Sequence, residues 1–493
     1  METDYGLGFN SATDDFVSVG NGQAALRQIS GLNGSWRDLN VYANADYEFR
    51  NKYFVSFNTA LDGSSRFGKD ASGGLALGGN TFAVLPSIAA GWLISSEPFL
   101  AGSNLFELLK LRASYGLVGN DDIGNYTSKR YYVSQNFLGF QGLVRGNVAN
   151  TALKWETVRK MNLGLDASFL KERLNVSLDL FHHKTSDMIT QEPLATITGF
   201  DFVLANNGEM ENKGIELGIN GRILNKSVKW DMGVNVSAYR NKITRIPDDR
   251  LITNYAGATI LTQKGMASNL FYGYKTNGIY ASDAEASASN LAVRRADGTL
   301  IALQGGDVRF VNTNNDAFID ENDMQVIGNP NPDFTGMISN MVSWKRFSMD
   351  AILTFSVGND VYNFMRRNLE SMNSFQNQSP RMINRWRVDG QVTEVPRAVI
   401  GDPAANSRFS DRWIEDGSYL RLRTLSVTYD VPLKAKALKY ARVYLSGNNL
   451  FTIAKYLGYD PEFSAGESVF TQGIDTGLEP QFRTIQLGVR VGL

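Results

Sequence analysis

Residues 41–59 read Val-Tyr-Ala-Asn-Ala-Asp-Tyr-Glu-Phe-Arg-Asn-Lys-Tyr-Phe-Val-Ser-Phe-Asn-Thr. Successive side chains of an extended chain point to opposite sides, so Val41, Ala43, Ala45, Tyr47 and Phe49 share one face and Asn44, Asp46 and Glu48 the other. Asn51 and Lys52 interrupt the alternation, and Tyr53, Val55, Phe57 and Thr59 resume it. The stretch therefore predicts a long β-hairpin. One face is too polar for a dry core, and arms of about 9–13 residues suit a tilted membrane strand better than the shorter strands of soluble sheets.

The same rhythm recurs along the chain. Leu109, Leu111, Ala113, Tyr115 and Leu117 alternate with Lys110, Arg112, Ser114 and Gly116; Met161, Leu163, Leu165, Ala167 and Phe169 alternate with Asn162, Gly164, Asp166 and Ser168. Further copies run through Val176/Leu178/Leu180, Ile215/Leu217/Ile219, Met232/Val234/Val236/Ala238 and Phe347/Met349/Ala351/Leu353/Phe355/Val357. Leu425/Val427/Tyr429, Val443/Leu445 and Ile485/Leu487/Val489/Val491/Leu493 complete the series. Roughly 12–14 antiparallel strands are expected, an all-β transmembrane barrel segment. Short turns at 171–173 and 225–226 alternate with long polar stretches at 118–152, 186–212, 241–335, 358–418 and 454–481. Short turns on one side and long extracellular loops on the other describe an outer-membrane barrel. Within the loops, 361–372 is expected to form a helix. Trp36, Tyr47, Tyr53, Trp92, Trp155, Trp230, Tyr239, Trp344, Tyr429 and Tyr444 sit near strand ends, as an interfacial aromatic belt would.

Composition agrees and narrows the function. The 493 residues carry 49 Lys+Arg against 50 Asp+Glu, so a net charge of -1 offers no bulk attraction to nucleic acid. With no Cys and two His, thiol chemistry, disulfides and thiolate metal sites are excluded. No stretch reaches the ~18 apolar residues of a membrane helix; the best, 82–94, is broken by Pro86, Ser87 and Gly91. Met1 to Tyr5 show neither the charged nor the apolar region of a signal peptide. Residues 1–35 are expected to be irregular or a partial strand and loop, and 36–493 to form the barrel portion.

One segment has the spacing of a calcium loop. Asn312, Asn314, Asp316, Asp320 and Asp323 place oxygens at positions 1, 3, 5, 9 and 12, and the Phe318 carbonyl stands at position 7. Asn312 replaces the usual first Asp, and Ala317 stands where Gly permits the sharp turn, so an Asx-rich turn held by its own side chains is the competing reading. His182 and His183 are neighbours on a strand and point to opposite faces, which prevents joint chelation. No Gly-x-Ser-x-Gly elbow or spaced acid–base pair appears, so no enzyme is expected and no cofactor is required beyond possible Ca2+.

Several phrases together resemble the TonB-dependent transporters of the SusC/RagA type. They are the segments at 62–68, 90–92, 111–116 with Gly119 and Asn120, 153–156, 212–216, 306–310, 328–330, 419–423, 446–451 and 458–462. The resemblance runs from about residue 36 to the C-terminus and covers the later part of that family's barrel. It implies a cell outer membrane location and import of a glycan or oligopeptide with a SusD-like surface lipoprotein. It also implies energy from the TonB complex, acting through an N-terminal part, and contact with outer-membrane lipid. Plug, TonB box and early strands are not recognisable here, so a C-terminal fragment is expected, an incomplete barrel or open curved sheet that is not active alone. The alternative is a secreted β-sandwich or lectin-like binding protein.

Overall fold

A computed structural model of the chain describes residues 34–100, 105–137, 140–433, 438–463, 466 and 468–492. Nearly all of the expected 1–35 segment lies outside the described residues, as does Leu493 of the last alternating run. Thirteen strands form one antiparallel meander: β1 (Asp38–Phe49), β2 (Tyr53–Ser64), β3 (Asn80–Leu93), β4 (Phe106–Asn120), β5 (Glu156–Phe169), β6 (Leu174–Pro193), β7 (Phe202–Asn225), β8 (Val228–Arg245), β9 (Phe334–Trp344), β10 (Phe347–Val357), β11 (Tyr419–Asp430), β12 (Tyr440–Ala454) and β13 (Thr484–Gly492). Each strand pairs with its neighbours in sequence. Among the described residues no pairing joins β1 to β13, so the sheet is open with two edges.

Register lines the apolar residues up in rows across the sheet. Leu163 stands opposite Ala113 and Leu180, Leu180 opposite Ile215, and Ile215 opposite Ala238. Far along the sheet Val427 pairs with Met349 and Leu445, and Leu445 with Leu487. These side chains are solvent-exposed in the isolated chain, Leu487 at 75% and Val41 at 54%. Such a wide apolar face is stable only against lipid. The opposite face is polar, and there Arg112 holds Asp166 at 2.7 Å.

Above Leu180 and Ile215 the outward face becomes charged, with Lys184 bound to Glu209 at 3.1 Å and Lys213 to Glu211 at 3.0 Å. At the other end, beside the short turns, lies a ring of aromatic contacts. Tyr53 stacks on Trp92 at 6.5 Å, and Phe347 meets Tyr429 at 4.8 Å. Rings of this kind seat a barrel at the membrane–water boundary.

Several sequence expectations need correction. The 186–212 stretch is mostly strand: β6 runs 20 residues and β7 runs 24, leaving only 194–201 as the connection. Its Asn, Glu and Thr residues pair because the wall rises out of the apolar zone, where polarity on both faces costs nothing. The helix expected at 361–372 shrinks to Phe364–Glu370, since Asp360–Asn363 is drawn into a small sheet with Ile414–Asp416 and Ile474–Asp475. Trp155 is buried in a cluster with Phe67 and Ala83 and does not reach a belt. Tyr239 faces the inner cavity and Tyr444 packs over Gly488 on the polar face, so neither belongs to the belt. Strands β3 and β9 had no clean alternation to reveal them; Pro86 and Gly91 interrupt the first, and Gly336 and Asn340 the second.

The described residues of the long connections 246–333, 358–418 and 455–483 fold together into an ordered cap. Phe271 from the first, Tyr362, Phe409 and Trp413 from the second and Ile474 from the third share one buried core. A second core gathers Tyr280, Val293, Val308, Phe310 and Ile319. Polar clamps fix the loops further: Asp307, fully buried, accepts from Arg397 at 2.7 Å and from Asn406 at 2.9 Å. A buried carboxylate with this many donors is satisfied rather than strained.

Candidate functional site

Where the polar inner face of β6, β7 and β8 passes beneath the cap, it encloses a cavity of about 670 Å³. That volume lies within the range of small-ligand sites. Alternation aims Met210, Asn212, Tyr239, Asn241 and Ile243 inward, and the register shift between Gly208 and Met210 turns Met188 toward the same space. The cap contributes Asn269, Asn331, Phe463 and Gln472. Although 20% of the chain is charged, none of the described lining residues is Asp, Glu, Lys, Arg or His. The wall is therefore neutral.

Its polar part is a linked set of amides. Asn241 donates to Asn331 Oδ1 at 3.1 Å, Asn331 to the Ser268 carbonyl at 3.0 Å, and Asn269 to the Val469 carbonyl at 3.0 Å. These bonds tie barrel wall to cap and hold the polar groups in fixed positions. The side chains of Gln191, Asn212 and Tyr239 make no hydrogen bond to any described residue, which leaves two amides and a phenol available in the cavity wall. Beside them Met188, Leu204 and Met210 supply apolar surface. The lining thus offers hydrogen-bonding and apolar groups side by side and no charge.

Below the cap, Arg421 is almost fully buried against Asp460 and also reaches Glu462 at 3.2 Å. Tyr456 donates to Asp475 at 2.6 Å, and burial together with that carboxylate pushes its phenol well above the ordinary range. Burial likewise raises the Asp360 carboxyl, although the Asn329 amide donates to it at 2.7 Å. These pairs stiffen the loops that close the cavity.

The six residues of the calcium-type segment stay within one exposed loop of the cap. Asn312 Nδ2 donates to the Asp316 carbonyl at 2.5 Å, and Asn314 Nδ2 to Asp316 Oδ2 at 2.9 Å. Asp316 Oδ1 accepts from the Phe318 amide at 2.7 Å. Asp323, fully buried, accepts from the amides of Thr313 and Asp320 at 2.8 and 2.9 Å. Asp320 pairs with Arg294 at 2.9 Å, while the same guanidinium lies 3.8 Å from the Phe318 ring. Asn312 Oδ1 is buried without a partner among the described residues. The structure thus brings Asn312, Asn314 and Asp316 together and, separately, Asp320 and Asp323; no three acidic or histidine side chains converge among the described residues.

Of the cavity residues, sequence singled out Tyr239 alone, and as a belt aromatic; the others were missed. Their only signal was the unusual length of the polar stretch after Leu180, which reads equally as loop.

Comparison with known proteins agrees with this architecture. Residues 2–450 match the family described as TonB dependent receptor-like, beta-barrel. TonB-dependent receptor P3 of Formosa agariphila is 34% identical over 472 residues, covering 92% of this chain and 45% of that protein. TonB-dependent receptor SusC of Bacteroides thetaiotaomicron is 26% identical, covering 86% of this chain and 41% of that one. The solved RagAB peptide transporter superposes with a TM-score of 0.79 at 25% identity, over 97% of this chain and 50% of its own. The chain spans about half the length of these relatives. With its meander of lipid-facing strands and long capping loops, the chain belongs to the TonB-dependent receptor-like β-barrel family, a family of outer-membrane transporters rather than enzymes.

Proposed function

We propose that this chain supplies the later part of the barrel wall, and the outer loops, of a SusC-like importer that takes up an uncharged glycan or oligopeptide. The observation carrying the proposal is the neutral cavity on the inner face, where Gln191, Asn212 and Tyr239 stand ready under an ordered cap. The cap offers the docking side for a SusD-like surface lipoprotein, and the TonB complex acts on the part of the protein that this chain does not span. RagAB is a peptide transporter, which supports the oligopeptide option, and SusC is a TonB-dependent receptor, which supports the receptor reading.

The test is uptake in the source bacterium. With the gene deleted and restored in full length, labelled neutral oligosaccharides and oligopeptides are compared between the parent and the Asn212→Ala/Tyr239→Ala variant. Expected is a fall of about tenfold or more in uptake of one ligand class while the barrel still assembles. Uptake equal to the parent for every ligand overturns the role of this cavity.

A subsidiary reading concerns 312–323. We propose calcium at millimolar concentration as its ligand, taken by oxygens of Asn312, Asn314, Asp316, Asp320 and Asp323 and by the Phe318 carbonyl. Support comes from Asn312 Oδ1, which is buried without a partner among the described residues.

A further inference from the structure

A second cavity, about 280 Å³, lies wholly within the cap, between the strand Thr276–Ile279, the helix Phe364–Glu370 and the turn Asp411–Trp413. Three guanidinium groups line it, those of Arg366, Arg381 and Arg412, with the carboxylates of Glu370 and Glu394. Their charges are unevenly matched. Arg366 is held by Glu415 at 2.9 Å and Glu370 at 3.3 Å. Arg381 stands at the mouth, 3.9 Å from Glu370 and 3.9 Å from the exposed Glu394. Arg412 lines the cavity and makes no hydrogen bond or ion pair with any described residue, although the charges of Glu370 and Asp411 act on it from a distance.

A half-buried guanidinium without a hydrogen-bonded partner is costly, and the fold here adds to the cost. Arg412 lies 5.2 Å and Arg366 5.7 Å from the centre of the same Trp413 ring, so two like charges flank one indole. Burial, then the charge of Arg366, bring the Arg412 pKa down to about 10 against the opposing pull of Glu370 and Asp411. Cation–π contact with Trp413 offsets only part of that penalty. Beside them Gly278, at φ 81°, has no atom within 4 Å of where a Cβ would stand, which leaves open space on that wall.

We propose that this pocket binds an oxyanion, a carboxylate, sulfate or phosphate group, with Arg412 as its inner ligand and Arg381 at the entrance. A guanidinium presents parallel N–H donors that match two oxygens of such a group, and it stays charged at neutral pH even with a lowered pKa. Two sources share this chemistry: a free anion, and an acidic substituent carried by a larger ligand. The site is formed by the cap's own residues, so it does not rest on the import reading.

The test follows tryptophan emission of the chain folded in detergent while sodium sulfate replaces sodium chloride at constant ionic strength. Saturable, sulfate-specific binding is expected. Arg412→Met should weaken it by about tenfold or more, and Arg346→Met, in a short turn at the opposite end of the barrel, should leave it unchanged. Arg412→Lys keeps the charge and loses the fork, so it should fold like the parent and bind sulfate with intermediate affinity. Competition by a uronic oligosaccharide assigns the site to a substituent, and its absence assigns it to a free anion. Equal responses to sulfate and chloride, parental binding by both Arg412 variants, or equal loss in Arg346→Met would overturn the proposal.

Discussion

Arg112 and Asp179 hydrogen-bond to each other over an intervening strand, Nη1 to Oδ1 at 3.1 Å and Nη2 to Oδ2 at 3.0 Å. Strands two apart are separated by about 9–10 Å, too far for most side-chain pairs. The bridge exists because Gly164 stands directly opposite both residues. A Cβ added there would lie 2.6 Å from Arg112 Cζ and 2.6 Å from Asp179 Oδ1. The glycine is thus the gap through which one arginine ties three strands together.

Gly164→Val is therefore expected to lower barrel stability by about 1–3 kcal/mol, because the ion pair must move or separate. Urea unfolding in detergent, followed by the heat-dependent shift in gel migration, measures it. A variant as stable as the parent would show that the bridge is not held where the structure places it.

Leu487→Arg and Gln486→Arg form a matched pair on neighbouring positions of β13. Leu487 belongs to the apolar face, so its replacement should cost about 2–4 kcal/mol at the bilayer midplane, while Gln486→Arg should be mild. Yields of assembled protein in the outer membrane give the comparison. Equal effects would count against β13 as a membrane strand.

Glu97 lies just past β3, at the end with the short turns, and receives Tyr53 Oη at 2.6 Å, Trp92 Nε1 at 3.1 Å and Lys52 Nζ at 3.2 Å. The Tyr53 bond first, then those of Trp92 and Lys52, hold its carboxyl below the ordinary value of 4.5. A depressed folded pKa stabilises the protein fully above the unfolded pKa, and that contribution is lost as pH falls through the folded value. Parent stability should decline on acidification below about pH 4.5, and Glu97→Gln should remove this share of the slope. Parallel acid-unfolding curves for the two proteins would contradict it.

For the 312–323 loop, millimolar calcium should raise the thermal midpoint of the parent, and Asp316→Ala or Asp323→Ala should abolish the gain. Identical midpoints with calcium and with chelator would leave the Asx turns as the whole explanation.

Strands were legible in the sequence wherever one face had to meet lipid. Leu163, Leu180 and Leu487 announce themselves because the bilayer enforces strict alternation over each crossing. Legibility ended at the headgroups. Beyond Leu180 both faces of β6 meet water or protein, so Thr185, Thr190 and Gln191 obey no pattern although the hydrogen-bond ladder continues. The cap was harder still, since its cores join residues as distant as Phe271 and Ile474, and nothing local records that pairing. Trp155 and Tyr239 misled for a related reason: an aromatic residue near a strand end serves interface, core or cavity equally well.

The overshoot of β6 and β7 carries one more consequence. From Leu180 to Pro193 the wall climbs roughly 30 Å at the usual rise and tilt of barrel strands. This side of the wall thus stands well above the apolar band, and the cavity it lines is lifted clear of the negatively charged headgroups. A ligand seated there would lie in a neutral setting away from the lipid surface, so salt and headgroup charge should have little influence on its binding.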